Sequence, residues 1–244
     1  MNHRFPPLLP KQDLRPPVLV LAAHPDDEVI ACGGMLAWHR QAGHPLTVVH
    51  VTDGAAGDPD GRHGDIAAVR RAEGKEALRR LGVEDLRGLG FTDGQVPEQV
   101  DALTARLAGL FAAIRPQTLY SFFFTEAHRD HRAVAVATMR AAHALPADCR
   151  VLLYGVNQVV VGGTLFDVTG FMAQKQHALA AFASQLAYND FQQKILHRDH
   201  AATVNVEDAS VQHAELFADL RPADLPRAEQ LADPLYRYLL GEGR

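Results

Sequence analysis

Val18-Leu19-Val20-Leu21-Ala22-Ala23 runs directly into His24-Pro25-Asp26-Asp27-Glu28, and the junction of these two segments decides how the chain is read. The first is a short, continuous apolar run, the pattern of a strand buried on both faces. The second opens a helix over Glu28 to Gln41 that Gly43 stops. Strand, turn and helix make one βα unit. Outward from it the alternation repeats: Leu46 to Val51 predicts a strand, Ile66 to Leu81 a helix, Leu86 to Phe91 a weaker strand and Pro97 to Ile114 a helix. Leu119 to Phe124 predicts a fourth strand and Asp130 to Ala144 an alanine-rich helix. This order implies a three-layer α/β fold, a mostly parallel sheet with helices on both faces, because right-handed crossovers lay each helix over the sheet. Beyond Arg150 the pattern loosens, with strand expected over Val151 to Val161, helix over Gln174 to Ala187 and a late strand over Ala201 to Val206. The proline-rich residues 1–16 read as an extended surface lead-in, and 17–244 as a single domain.

Composition agrees with one ordinary globular core: 244 residues, 47% hydrophobic and 22% charged. A formal net charge of -5 offers no broad attraction to phosphate backbones, so nucleic acid is not an expected partner. The cysteines, Cys32 and Cys149, are too few and too far apart for a disulfide framework. Without a signal-like apolar run near the start, or a membrane-length one anywhere, the expectation is a cytoplasmic protein; a homo-oligomer is compatible with the sequence.

In an open parallel sheet, ligands bind outside the carboxyl ends of the strands where strand order reverses, a point the first strand normally flanks. His24-Pro25-Asp26-Asp27-Glu28 stands there, packing an imidazole and three carboxylates into five residues. A dinucleotide fold would need glycines in that turn, but the first ones after the strand are Gly33 and Gly34. So much negative charge at a strand end is costly unless a cation compensates, and imidazole with carboxylate suits zinc or another divalent metal. The plainer alternative is that Asp26 or Asp27 caps the helix and His24 is a loop histidine.

His-Arg-Asp-His occurs twice, as His128-Arg129-Asp130-His131 and His197-Arg198-Asp199-His200. The first copy follows the fourth apolar run and opens a helix; the second sits at a helix end, where the helix dipole favours histidine. If the sheet has the order 3-2-1-4, the loops after strands one and four meet, and His24, Asp27 and His131 can converge on one ion. His128, three residues from His131, is then left as a free imidazole.

These residues resemble the LmbE-like, or PIG-L, N-acetylglucosaminyl deacetylases. The similarity runs from Ala23-His24-Pro25-Asp26-Asp27-Glu28 to Cys32-Gly33-Gly34 and takes in Val51-Thr52-Asp53-Gly54, Arg70-Arg71-Ala72-Glu73, Phe91-Thr92-Asp93-Gly94 and His128-Arg129-Asp130-His131, where Arg129 replaces the usual proline. Weaker similarity continues through Lys175, Ser184-Gln185 and Ala214-Glu215-Leu216-Phe217. The resemblance implies a Rossmann-like, LmbE-like fold and a zinc-dependent N-deacetylase, iron(II) being the other candidate metal. It implies His24, Asp27 and His131 as ligands, Asp26 as general base and His128 as the group that stabilises the tetrahedral intermediate. Asp130 is expected to orient an imidazole or to cap its helix. Arg70 and Asp93 are carried over as contacts to an N-acetylated sugar conjugate, although Arg70 has a competing partner in Glu73. Two rival functions share these ligands: an amidase of the same family acting on a thiol conjugate, and a non-catalytic, metal-containing sugar-binding module.

Overall fold

A computed structural model describes residues 6–240; residues 1–5, which begin the expected lead-in, and 241–244 lie outside the described residues. Five strands form the parallel part of one sheet: β1 (Val18–Ala22), β2 (Leu46–Thr52), β3 (Asp85–Phe91), β4 (Thr118–Phe122) and β5 (Arg150–Tyr154). Between them run α1 (Asp27–Gln41), α2 (Ile66–Arg80), α3 (Val100–Ile114) and α4 (Arg129–Arg140). Every residue of β1, β2, β4 and β5 is buried, as expected for strands covered on both faces.

After β5 come β6 (Thr164–Asp167), α5 (Met172–Leu179), α6 (Ala183–Leu186), α7 (Phe191–Ala201), β7 (Ala214–Leu220) and α8 (Leu225–Leu240). The sheet order is β3-β2-β1-β4-β5-β7-β6, with β7 antiparallel to both of its neighbours. Strand order reverses between β1 and β4, which pair in parallel from Val18 opposite Thr118 to Val20 opposite Tyr120. The turns leaving these two strands therefore open on one crevice. Helices α1, α2 and α5 pack together, as do α3, α4 and α8 in the order α3–α4–α8. Among the described residues no helix is long and apolar enough to cross a membrane.

Three expectations for the second half change. The strand expected over Val151 to Val161 ends at Tyr154, because the chain turns at Gly155, where a Cβ would lie 1.9 Å from the Gln158 carbonyl oxygen. The helix expected over Gln174 to Ala187 is broken between Leu179 and Ala183, with Phe182 buried at the break. No strand forms over Ala201 to Val206: Ala201 ends α7, residues 202–205 are turn, and Val204 is 81% exposed. The described part of the lead-in is docked: the Leu9 amide donates to the Leu165 carbonyl at 2.9 Å, and Leu14 is buried in the core.

Helix α1 is interrupted at Cys32, whose φ of -138° and ψ of 21° are not helical. Gly33 and Gly34 follow because the backbone there lies against other parts of the fold. A Cβ on Gly34 would stand 2.7 Å from Val168 Cβ, an atom with no rotamer freedom. Gly34→Ala is therefore expected to cost about 1–3 kcal/mol of stability through overpacking. Urea unfolding checks this, and an unchanged midpoint would contradict it.

Candidate active site

Tight side-chain interactions gather where the turns after β1 and β4 meet. His24 and Asp27 leave the end of β1; His131 stands on the first turn of α4, and its ring stacks on Phe122 at the end of β4, with centroids 4.3 Å apart. His131 Nε2 lies 3.3 Å from His24 Nδ1 and 3.2 Å from Asp27 Oδ1, while His24 Nδ1 lies 3.4 Å from Asp27 Oδ2. All three residues are buried.

The remaining ring nitrogens set which atoms face this cluster. His131 Nδ1 is 2.7 Å from Glu126 Oε2, and an ionised carboxylate only accepts, so Nδ1 carries the proton and Nε2 turns a lone pair to the cluster. His24 Nε2 is 3.0 Å from Asp93 Oδ1, which leaves the Nδ1 lone pair facing inward in the same way. Two imidazole lone pairs and a carboxylate thus converge. Donors held at roughly 2.0–2.1 Å from a tetrahedral zinc stand about 3.3–3.4 Å from one another; the 3.3 Å between the two ring nitrogens fits such a pair, and Asp27 offers Oδ1 to His131 and Oδ2 to His24.

Charge makes the same case. Burial alone would lower the pKa of both imidazoles, but for His24 the carboxylates of Asp130, Asp27 and Asp93 outweigh it and hold the ring well above its usual value. His131 is likewise pushed up to about 9, chiefly by Asp27 and Glu126 acting against burial. Burial would raise Asp27, yet the pull of His131 and His24 holds it well below the usual carboxylate range. The carboxylates thus favour positive charge between the two rings, a place for which protons and a divalent cation would compete. Zinc uptake at pH 7 is therefore expected to release close to two protons per chain, from His24 and His131. Calorimetry in buffers of different ionisation enthalpy measures that number; uptake without proton release would contradict the assignment.

Asp26 lies beside this set and caps nothing: its side chain makes no hydrogen bond to the start of α1. Its φ of 138° is outside the regions open to most non-glycine residues, a strain of order 1–3 kcal/mol that is common at functional positions. Arg70 Nη2 donates to Asp26 Oδ2 at 3.0 Å and to the Pro25 carbonyl at 2.9 Å. Burial, reinforced by Asp27 and Glu28 and opposed by Arg70 and His24, raises Asp26 to about 7. Arg70 is buried and does not pair with Glu73, whose carboxylate instead accepts the Ser184 amide and hydroxyl at 2.8 and 2.6 Å.

His128 is exposed, and its ring centroid lies 4.8 Å from those of His24 and His131. Its Nδ1 accepts the Asp130 amide at 3.2 Å, capping α4, so the proton of the neutral ring is on Nε2. Partial desolvation in the mouth of the site and the neighbouring imidazoles lower its pKa and favour that neutral form. Asp130, expected as an imidazole partner or a cap, is not the cap of α4. It accepts the Gly94 and Val96 amides at 2.7 and 3.3 Å and stands 3.4 Å from His24 Nε2. Asp93 is the nearer partner of that nitrogen and also accepts the Ala56 amide at 2.8 Å. In the second copy of the tetrapeptide, His200 is exposed and its Nδ1 donates to the Gln212 carbonyl at 2.7 Å.

Glu126 is the residue that the sequence reading missed. Besides His131 it accepts the amides of Val156, Asn157 and Gln158 at 3.0 to 3.2 Å, which ties the loop after β5 to the His131 imidazole. The only signal in the sequence was a lone carboxylate just past a strand end, five residues before His131.

A cavity of about 540 Å³ opens over the cluster. Asp26, Arg70, Asp93 and His128 line it with the cluster itself, and Gln185, Tyr188 and Lys194 come from the α6–α7 region.

Residues 19–142 match the family PIG-L, described as GlcNAc-PI de-N-acetylase. Over 210 residues the chain is 29% identical to a Bacillus cereus protein named "Probable N-acetyl-alpha-D-glucosaminyl L-malate deacetylase 2", covering 82% of this chain and 94% of that one. A conserved protein of Thermus thermophilus has a similar structure, with a TM-score of 0.73, 25% identity, and coverage of 84% of this chain and 94% of that one. An N,N'-diacetylchitobiose deacetylase from Pyrococcus horikoshii shares the fold at a TM-score of 0.75 and 23% identity, over 88% of this chain and 87% of that one.

Proposed function

The chain belongs to the PIG-L family of de-N-acetylases, and from that premise we propose that it is a zinc-dependent hydrolase that removes the N-acetyl group of an N-acetylglucosaminyl conjugate, releasing acetate and a free amine. The observation that carries this reading is the convergence of His24 Nδ1, Asp27 and His131 Nε2 at separations of 3.2 to 3.4 Å on the floor of a cavity that Asp26 and His128 also line.

His24, Asp27 and His131 would hold the ion. When bound, zinc supplies Lewis acidity that polarises the amide carbonyl and makes a water proton easier to remove. Asp26 is the general base. Its pKa near 7 lets one carboxyl group take a proton in the attack and return it to the departing amine, since a general acid–base group works best with a pKa close to the operating pH. Arg70 holds one oxygen of that carboxylate, which leaves the other for proton transfer. The His128 Nε2 proton is the hydrogen-bond donor for the oxyanion, and the lowered pKa of the ring makes it a neutral donor rather than an imidazolium. Glu126 and Asp93 fix the two ligand rings from behind. A sugar-binding module would need neither a strained, poised Asp26 nor His128.

A panel assay tests this reading. Acetate and primary amine are followed on N-acetylglucosamine glycosides, on an N-acyl thiol conjugate without sugar, and on both with chelator. The expected result is chelator-sensitive, one-to-one release of acetate and amine from the glycosides alone. Turnover confined to the thiol conjugate would establish the amidase alternative, and binding without turnover the sugar-binding one.

A further inference from the structure

The second tetrapeptide copy, His197-Arg198-Asp199-His200, lies at the end of α7, and its Arg198, held by Asp199, reaches the interruption in α1. In an unbroken helix the Gly34 amide would donate to the Ile30 carbonyl and the Met35 amide to that of Ala31. At the break other partners take these groups. Glu215 on β7 accepts the Gly34 and Met35 amides at 2.8 and 3.0 Å, and Arg198 Nη2 donates to the Ile30 carbonyl at 2.7 Å. Buried backbone groups left without partners would destabilise the break, so these side chains make it possible.

Lys175 and Asp199 complete the network. Lys175 Nζ donates to Asp199 Oδ2 and to Glu215 Oε1, both at 2.6 Å, and Arg198 Nε donates to Asp199 Oδ1 at 3.0 Å. Two cations thus balance two carboxylates, and Lys175, Asp199 and Glu215 are almost wholly shielded from water. A cluster so buried is held to one geometry by its own hydrogen bonds.

The two sides of the break are gripped separately: the turn that ends at Ile30 by Arg198, and the stretch from Gly34 onward by Glu215. The first of these turns carries Asp27, and Ile30 lines the cavity. We propose that Arg198, supported by Asp199, Lys175 and Glu215, is a positioning residue that aims the first turn of α1, and Asp27 with it, at the metal centre. The proposal rests on the reading of Asp27 as a ligand. It gives the duplicated tetrapeptide a division of labour, the first copy supplying a ligand and the second directing one.

Arg198→Met removes the donor to Ile30 and leaves Lys175 paired with both carboxylates; its side chain is 25% exposed, so the replacement leaves no sealed cavity. Zinc affinity, read by competition with a chromophoric chelator on the purified full chain, is expected to weaken about tenfold, the scale of losing a group that orients a ligand. On the glycoside found active, kcat should fall while KM stays within about twofold, since Arg198 does not itself line the cavity. Arg198→Lys, which replaces the two separate donors Nε and Nη2 with one ammonium, should fall between; it decides the matter alone if the methionine variant does not accumulate. His200→Ala should bind zinc as the wild type does. Wild-type zinc affinity in the folded Arg198 variants overturns the positioning role and leaves the metal site standing, whereas a wild-type chain that takes up no zinc overturns both.

Discussion

His131→Ala is expected to fold and to carry no stoichiometric metal, while His200→Ala retains it in full. The two residues close identical tetrapeptides, so composition around them cannot account for a difference; only their places in the fold can. His131 turns a lone pair into a buried cluster with His24 and Asp27, and its other nitrogen is fixed by Glu126. His200 is exposed at the end of α7. Losing one of the three proposed ligands leaves two donors, too few for a catalytic zinc site. Elemental analysis after gel filtration measures the outcome, and equal metal in the two variants would mean that the ion is held elsewhere.

Asp26→Asn is expected to keep its metal and lose turnover by roughly 10²- to 10⁴-fold, the usual contribution of a positioned general base. Asparagine is the informative substitution for two reasons. Its amide oxygen still accepts from Arg70, so the buried guanidinium keeps that hydrogen bond, and asparagine tolerates positive φ better than most residues. What it cannot do is take a proton. Metal content beside single-turnover acetate release separates these contributions. Full activity would place the base elsewhere, and loss of metal would make Asp26 a ligand.

The parallel half of the fold was legible because strands buried on both faces are predominantly apolar and β-branched or aromatic, so β1, β2 and β4 stand out from the helices between them even with Thr47, His50 and Ser121 buried among them. The antiparallel half was not. β6 has four residues, and β7 carries Glu215, whose buried carboxylate serves the break in α1 and spoils the apolar pattern of a core strand. The alternation in Thr203-Val204-Asn205-Val206 imitates a strand but belongs to a turn. At the site, His24, Asp27 and His131 could be singled out because strand ends in an open sheet are where ligands bind. Partners chosen by tertiary contact escaped notice: Glu126 behind His131, and Arg70 drawn to Asp26 from a helix where Glu73 was the local alternative. Local spacing ranks neighbours on one element and carries no information about what packs across the crevice.

The most direct test of the account is a zinc titration of chelator-stripped protein, with acetate release from an N-acetylglucosamine glycoside as the readout. The stripped chain should be inactive, and the rate should rise linearly with added zinc to a plateau at one equivalent. Stripped protein, shown by elemental analysis to be metal-free, that releases acetate at the full rate would contradict it.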